Sequence, residues 1–308
     1  MCKIDIYTLM EVNMKKIALI LAALLLVSSL FACNNAEEEG NSYGGVASYS
    51  DTARIHKIIE NGKEVGSFTY VDGVGKTAII TKYTGPYEAH TVVIPETVGE
   101  GDAIRTVVAI GPEAFYYCTS MTAITLPKTL EKIDHMAFAG CTGLTSITIP
   151  QSTVTVGTYA FSNCASLKTV TFAKNSKVEV IDDFAFSDCS ALESINLPEG
   201  LKKIKEGAFY RCEKLAAIKT PASLAALGTG AFKGCRALNN PGAIDVSASV
   251  NIEKVYVETE EGNVLVPDLG DYIFSGINKD YIIIPGDANT DIAQYVNDMP
   301  ALNEEETK

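Results

Sequence analysis

Between residues 110 and 238 the apolar positions recur in one frame. Ala-Phe pairs place Phe115, Phe138, Phe161, Phe186, Phe209 and Phe232 at spacings of 23, 23, 25, 23 and 23 residues. A cysteine follows each by three residues: Cys118, Cys141, Cys164, Cys189, Cys212 and Cys235. Three further on stand Met121, Leu144, Leu167, Leu192, Leu215 and Leu238. Alternating pairs come next: Ile124 and Leu126, Ile147 and Ile149, Val170 and Phe172, Ile195 and Leu197, Ile218 and Thr220. Pro127, Pro150, Pro198 and Pro221 close four of these five segments. A repeat of this depth is the pattern of a solenoid, in which each unit buries its apolar face only against its neighbours.

Two elements are expected per unit. Leu-x-x-Ile-x-Ile-Pro alternates with period two and reads as a short strand stopped by proline. Ile-Gly-x-x-Ala-Phe-x-x-Cys has a period of three to four and reads as about two turns of helix, with Phe and Cys on one inward face. Gly111, Asp134, Gly157, Asp182 and Gly228 stand where N-caps would be, and Lys205 departs from the pattern. The two extra residues before Phe186 fall in 173–177, where the closing proline is missing, and imply a lengthened turn.

The string Ala137-Phe138-x-x-Cys141-x-x-Leu144-x-x-Ile147-x-Ile149-Pro150 resembles the BspA-like, treponemal-type leucine-rich repeats. That resemblance implies an α/β solenoid: a right-handed coil with a parallel β-sheet on one face, short helices on the other, and β-rich caps. Six regular units are expected over 108–238, preceded by a β-rich N-terminal cap and a first degenerate repeat over 51–107. Residues 239–271 depart from the frame and read as an inserted hairpin. Residues 272–308 read as a degenerate last repeat, around Tyr272–Ile277 and Ile282–Pro285, with a C-terminal tail.

The N-terminus reads as an address. Residues 1–13 look like a misplaced start, because Met14-Lys15-Lys16 and the apolar run 17–27 form an export signal over 14–32. Leu30-Phe31-Ala32-Cys33 resembles a bacterial lipobox, which makes Cys33 the lipidated first residue of the mature chain. Residues 33–50 are polar, carry Glu37-Glu38-Glu39, and read as a tether.

Charge and composition narrow the function. A net charge of −13 argues against nucleic acid, whose phosphates call for excess Lys and Arg. With three histidines and no tryptophan, His-based catalysis and large aromatic platforms have little material. His56, His90 and His135 are scattered, and no G-x-S-x-G or H-E-x-x-H motif occurs. Asp182-Asp183 is better used at a helix start than as a catalytic pair. The chain is therefore read as non-enzymatic, with no cofactor.

The repeat cysteines, once per coil in an interior position, read as buried free thiols that behave as small hydrophobes. Disulfides between neighbouring coils remain the alternative, since adjacent Cα atoms would lie within bridging range. Zinc would need paired close spacings that are absent, and no metal is expected. Asp287-Ala288-Asn289-Thr290-Asp291, with Asp298, mimics a calcium loop, but Ile292 stands where the turn needs glycine.

What remains is surface. Thr125, Thr148, Thr171, Asn196 and Lys219 are the outward strand positions and the candidate binding face, although strand propensity alone would also select such residues. Tyr116, Tyr117, Tyr159 and Tyr210 form a competing surface. The family resemblance implies an adhesin-like role: a lipid-anchored protein, in the outer membrane or at the cell surface, presenting its repeats to host extracellular-matrix proteins or other cells. The alternative is a structural lipoprotein of the envelope with an endogenous protein partner.

Overall fold

In the repeated segment Ser146–Ile149 isoleucine alternates with a hydroxyl residue, so one face can be buried and the other left to water. The computed structural model, which describes residues 53–248, 256–259, 262–265, 282–284 and 296–297, shows this division along a stack of coils. Met121–Thr125, Ser146–Ile149, Thr169–Phe172, Ser194–Ile195 and Ile218–Lys219 come one per coil. Where the stack is most regular they run parallel and in register, Thr148 opposite Thr171 and Ser146 opposite Thr169. His90–Val93 pairs with Met121–Thr125 ahead of the series. Ile244–Asp245 and then Ile282–Ile283 extend it beyond Ile218–Lys219. Ile244–Asp245 lies in the stretch read from sequence as an insertion, yet it acts as a rung of the stack. Tyr256–Thr259 and Gly262–Leu265 pair antiparallel. Cys33, the signal and tether segments, Tyr272–Ile277 and the aspartates of the calcium-like loop lie outside the described residues.

A second parallel ladder runs along another side of the coils. After each turn the chain forms a two-residue strand: Lys132–Ile133, Thr155–Val156, Val180–Ile181, Lys203–Ile204 and Ala226–Leu227. Two residues are too few for a period-two signal, so the pattern of apolar positions does not announce them. This ladder continues through Arg105–Ile110 into an N-terminal cap of β1 (Arg54–Glu60), β2 (Lys63–Asp72) and β3 (Thr77–Thr84). The cap strands are antiparallel to one another, and β3 joins Arg105–Ile110 in parallel. The cap therefore presents a parallel edge to the first coil and closes the end of its core.

The expected helices are absent from the Ala-Phe-x-x-Cys segments, which are runs of turns. The reason is spacing. Helices with their side chains are about 10 Å across, whereas stacked strands repeat at about 4.8 Å. Turns of alternating hand fit the narrower spacing. Two positions before each phenylalanine, φ is positive at Glu113, Met136, Tyr159, Phe184, Gly207 and Gly230. Two positions after it, φ is positive again at Tyr117, Gly140, Asn163, Asp188, Arg211 and Gly234. The left-handed residues turn their amides toward the next coil, as does the phenylalanine between them. Thus Met136, Phe138 and Gly140 donate to the carbonyls of Thr158, Ala160 and Ser162 at 3.0, 2.8 and 2.8 Å. The intervening amides of Ala137, Ala139 and Cys141 donate backward to Asp134, Met136 and Phe138 at 3.3, 3.1 and 3.2 Å. Half of the bonds are local and half join coils, so the buried backbone is satisfied without a helix. Gly111, Gly157 and Gly228 are close-approach positions instead of helix caps: a Cβ on Gly157 would lie 2.9 Å from the Ile133 carbonyl oxygen.

This geometry brings the phenylalanines into a continuous stack. Successive ring centroids from Phe115 to Phe232 lie 4.9, 5.1, 5.2, 5.6 and 5.6 Å apart. From Phe138 onward neighbouring planes are within 7° of parallel. Tyr83 of β3 extends the stack onto the cap at 5.1 Å from Phe115, and its amide donates to Ala114 as a phenylalanine of an earlier coil would. Every phenylalanine of the series is fully buried. Phe161→Ala is therefore expected to cost about 3–5 kcal/mol of stability. Chemical denaturation would measure it; a loss below about 1 kcal/mol would show that the stack can be opened cheaply.

Candidate functional site

The outward side chains of the long-strand ladder form two rows. Val93, Thr125, Thr148, Thr171, Asn196 and Lys219 make one, and all are exposed. Thr91, Ser146, Thr169, Ser194 and Ala217 make the other, also exposed, with Ala123 half-buried. The inward neighbours Ile147, Val170 and Ile195 are buried. Parallel sheets are ordinarily covered on both faces. Here, among the described residues, no second layer lies over the threonine rows.

Lys219 is not an isolated charge, because its register partner Asp245 lies 3.5 Å away. The Ser247 hydroxyl donates to Asp245 and holds its carboxyl below the ordinary range, with Lys219 adding to the effect. Asp245 escapes the sequence pattern because Ile244 follows Leu238 by six residues, whereas the strand residue follows by three in the earlier coils.

Beside the rows, where the strands end, lies a groove of about 640 Å³. Its floor is apolar (Leu126, Pro150, Ala173), Thr125 and Thr148 reach it from the sheet, and Lys128 and Lys177 line it as well. The lengthened turn supplies one wall: the Ala173 amide bonds the Ile149 carbonyl at 2.9 Å, and the Lys177 amide bonds that of Gln151 at 3.0 Å. The 25-residue spacing was the available signal for this groove, since two extra residues must project somewhere. Lys128 and Lys177 are exposed, and neither is ion-paired among the described residues. In a chain of net charge −13 this is a local concentration of unpaired positive charge.

The tyrosines divide by role. Tyr116 and Tyr117 meet edge to face at 4.6 Å and are about 40% exposed. Tyr159 stacks on Phe184 at 5.1 Å, and Tyr210 approaches Phe184 edge-on, so these two pack between coils. Burial pushes the Tyr159 hydroxyl up, with Glu206 and Asp183 adding to the shift. Asp182 and Asp183 face Lys205 at 3.0 and 3.8 Å as an ion cluster. His90 accepts the Tyr83 hydroxyl at 2.9 Å if its other ring nitrogen donates to the Glu88 carbonyl, which lies 2.8 Å away. His135 sits edge-on to Tyr159, far in sequence from His90.

The six repeat cysteines are buried thiols that form no disulfide. Their thiols continue the inter-coil bonding: Cys141, Cys164, Cys189, Cys212 and Cys235 donate to the carbonyls of Phe115, Phe138, Phe161, Phe186 and Phe209 at 3.0–3.2 Å. Each of those carbonyls also accepts the cysteine amide of its own coil, so both lone pairs are used. Burial raises the pKa of Cys164 and raises those of Cys189 and Cys212 well above their ordinary value. Such thiols stay protonated and are poor nucleophiles. Among the described residues no group of three His, Cys, Asp or Glu could hold a metal, and no helix is long and apolar enough to cross a membrane.

Comparison with known proteins agrees with this geometry. The family model for the BspA type leucine rich repeat region matches residues 108–239 in six copies. The leucine-rich repeat protein of T. pallidum is 34% identical, covers 55% of this chain with 76% of its own length, and superimposes with a TM-score of 0.50. A leucine-rich cell surface protein of Faecalibacterium prausnitzii is 27% identical, with 73% of this chain and 61% of that one covered and a TM-score of 0.46. A leucine-rich repeat protein of Bacteroides ovatus is 23% identical over 62% of this chain and 64% of its own, at a TM-score of 0.35. No curated protein matches the chain.

Folded-state thiol pKa values raised above the ordinary 9.0 give stability that is complete below that pH and is lost progressively as pH rises from there toward the folded-state values, because the unfolded chain releases protons that the folded chain keeps. The melting temperature is expected to fall as pH rises above about 9, and Cys164→Ala, Cys189→Ala, Cys212→Ala together should flatten that slope. Alkylation followed by peptide mass mapping should find the six repeat thiols unmodified in the native protein and all reactive after unfolding. Native labelling of any of them would contradict the burial.

Proposed function

The chain belongs to the BspA-type leucine-rich repeat family, and from that premise we propose that it is a non-enzymatic surface-binding protein. Its bare threonine face and the adjoining groove dock an extended segment of a partner protein. Exposure of one whole face of a parallel sheet carries this reading, because such a face is otherwise covered. The groove fits an extended chain: its floor is apolar, its rim offers hydroxyls, and Lys128 and Lys177 favour a segment bearing carboxylates. The in-register pairing of Ser146–Ile149 with Thr169–Phe172 sets the outward hydroxyls side by side from coil to coil, where an extended segment can lie across them.

The finer reading is adhesin-like. The export signal and the lipobox-like Leu30-Phe31-Ala32-Cys33 support a lipid anchor at Cys33, with residues 33–50 as a spacer. Display on a tether at the cell surface suits weak, repeated contacts with a host matrix protein, since many copies acting together raise avidity. The leucine-rich cell surface protein of Faecalibacterium prausnitzii is described as standing at that location; for this chain the location is part of the proposal.

Binding to immobilised fibronectin and fibrinogen tests the role. Saturable capture of one of them is expected, with the double variant Lys128→Glu, Lys177→Glu weakening it at least about tenfold, or 1.4 kcal/mol, at unchanged melting temperature. Capture indifferent to the charge reversals would place the site elsewhere. No capture, together with protection of the chain when intact cells are treated with protease, would remove the adhesive reading and leave the envelope scaffold.

A further inference from the structure

β1 is the outermost strand of the cap sheet, paired with β2 on one side and, among the described residues, with nothing on the other. Edges of this kind are usually blunted by proline, by a bulge, or by charge along the strand. β1 contains no proline, and its charges are Lys57 at the centre and Arg54 and Glu60 at the two ends. The irregularity in its pairing with β2 places the extra residue in β2: Ile58 is opposite Gly66, Ile59 is opposite Glu64, and Val65 is the residue skipped. The outer edge of β1 therefore remains regular. Its exposed face carries Ile55 and Ile59, 66% and 56% exposed, on either side of Lys57. Two large aliphatic side chains on an open edge are a cost that a covered edge would not bear.

The sequence of β1, Arg54-Ile55-His56-Lys57-Ile58-Ile59-Glu60, is complementary to itself when reversed about Lys57. In an antiparallel pair centred there, Arg54 meets Glu60 of the second copy, Ile55 meets Ile59, and His56 meets Ile58. Only the central Lys57 pair sets like charges opposite each other. That repulsion is reduced within each chain, because Lys57 is ion-paired with Glu64 at 2.7 Å. Arg54 lies 3.1 Å from Asp72, which Arg105 also holds at 3.3 Å, so Arg54 can be drawn toward a second carboxylate without leaving Asp72 unpaired. The geometry points to a two-fold symmetric dimer of this chain, formed by antiparallel pairing of the two β1 edges.

Such a pairing is isologous and closes on itself, since each chain uses its single β1 edge and no further copy can add there. It joins two cap sheets into one continuous sheet. It also leaves both threonine faces and both grooves clear, because these lie on the coils beyond the cap. A contact that rests on one seven-residue strand from each chain is a small one, so a reversible, concentration-dependent dimer is expected.

Sedimentation velocity of the purified chain across a wide concentration range tests this. The mass should rise from one chain toward two. Glu60→Arg, which sets two arginines opposite each other at both ends, should weaken association at least about tenfold. Adding Arg54→Glu should restore it by exchanging the charges. Because Arg54→Glu also loses its contact with Asp72, Ile55→Asn on the solvent face serves as a second variant; it should weaken association without lowering the melting temperature. A monomer at every concentration would overturn the inference, as would a dimer indifferent to Glu60→Arg and Ile55→Asn.

Discussion

The distance between coils, about 5 Å, governs this molecule. Parallel strands on one side need it for their hydrogen bonds, and phenylalanine rings inside the stack need nearly the same distance to lie face to face. Because both sides share it, no element wider than a single chain can stand in the stack. The Ala-Phe-x-x-Cys segment therefore takes alternating left- and right-handed turns, whose amides serve the local chain and the next coil by turns. Left-handed backbone costs a non-glycine residue roughly 1–2 kcal/mol, and Tyr159 and Phe184 both adopt it. The inter-coil hydrogen bonds and the stacking of those same two rings offset that cost.

Cysteine at the repeat position is explained by the same spacing. A thiol is small and apolar enough to sit beside the phenylalanine stack, and its weak donor reaches the carbonyl one coil back. Burial that suits the thiol to packing also removes its chemistry, so the eye-catching row is scaffold. Binding is left to the outer face, where strand geometry presents hydroxyls at regular intervals and the 173–177 turn breaks the regularity with a groove.

Much of this architecture is legible in the amino-acid sequence. The spacing from Phe115 to Phe232 requires stacked coils, and the Ile147/Ile149 alternation specifies which side chains turn inward. The segment between them is not legible in the same way. Phe and Cys three residues apart share a face in a helix, but they also share one in a run of alternating turns, and periodicity alone does not separate the two. Gly140, Gly207, Gly230 and Gly234, at the positions of positive φ, were the residues that could have told them apart. Ile244–Asp245 was illegible because its coil keeps the core motif of Phe232, Cys235 and Leu238 but reaches its strand three residues late. The groove was visible in the sequence only as two surplus residues, whose direction of projection no local pattern sets.

The most direct test of the account is the pairing of the phenylalanine amides. Through-hydrogen-bond scalar couplings, measured by NMR on the labelled protein, should connect the amide of Phe138 to the carbonyl of Ala160 and that of Phe161 to Ala185, from one coil to the next. Couplings from these amides to carbonyls four residues earlier in the same coil would mean helices, and would contradict the alternating turns and the close stacking built on them.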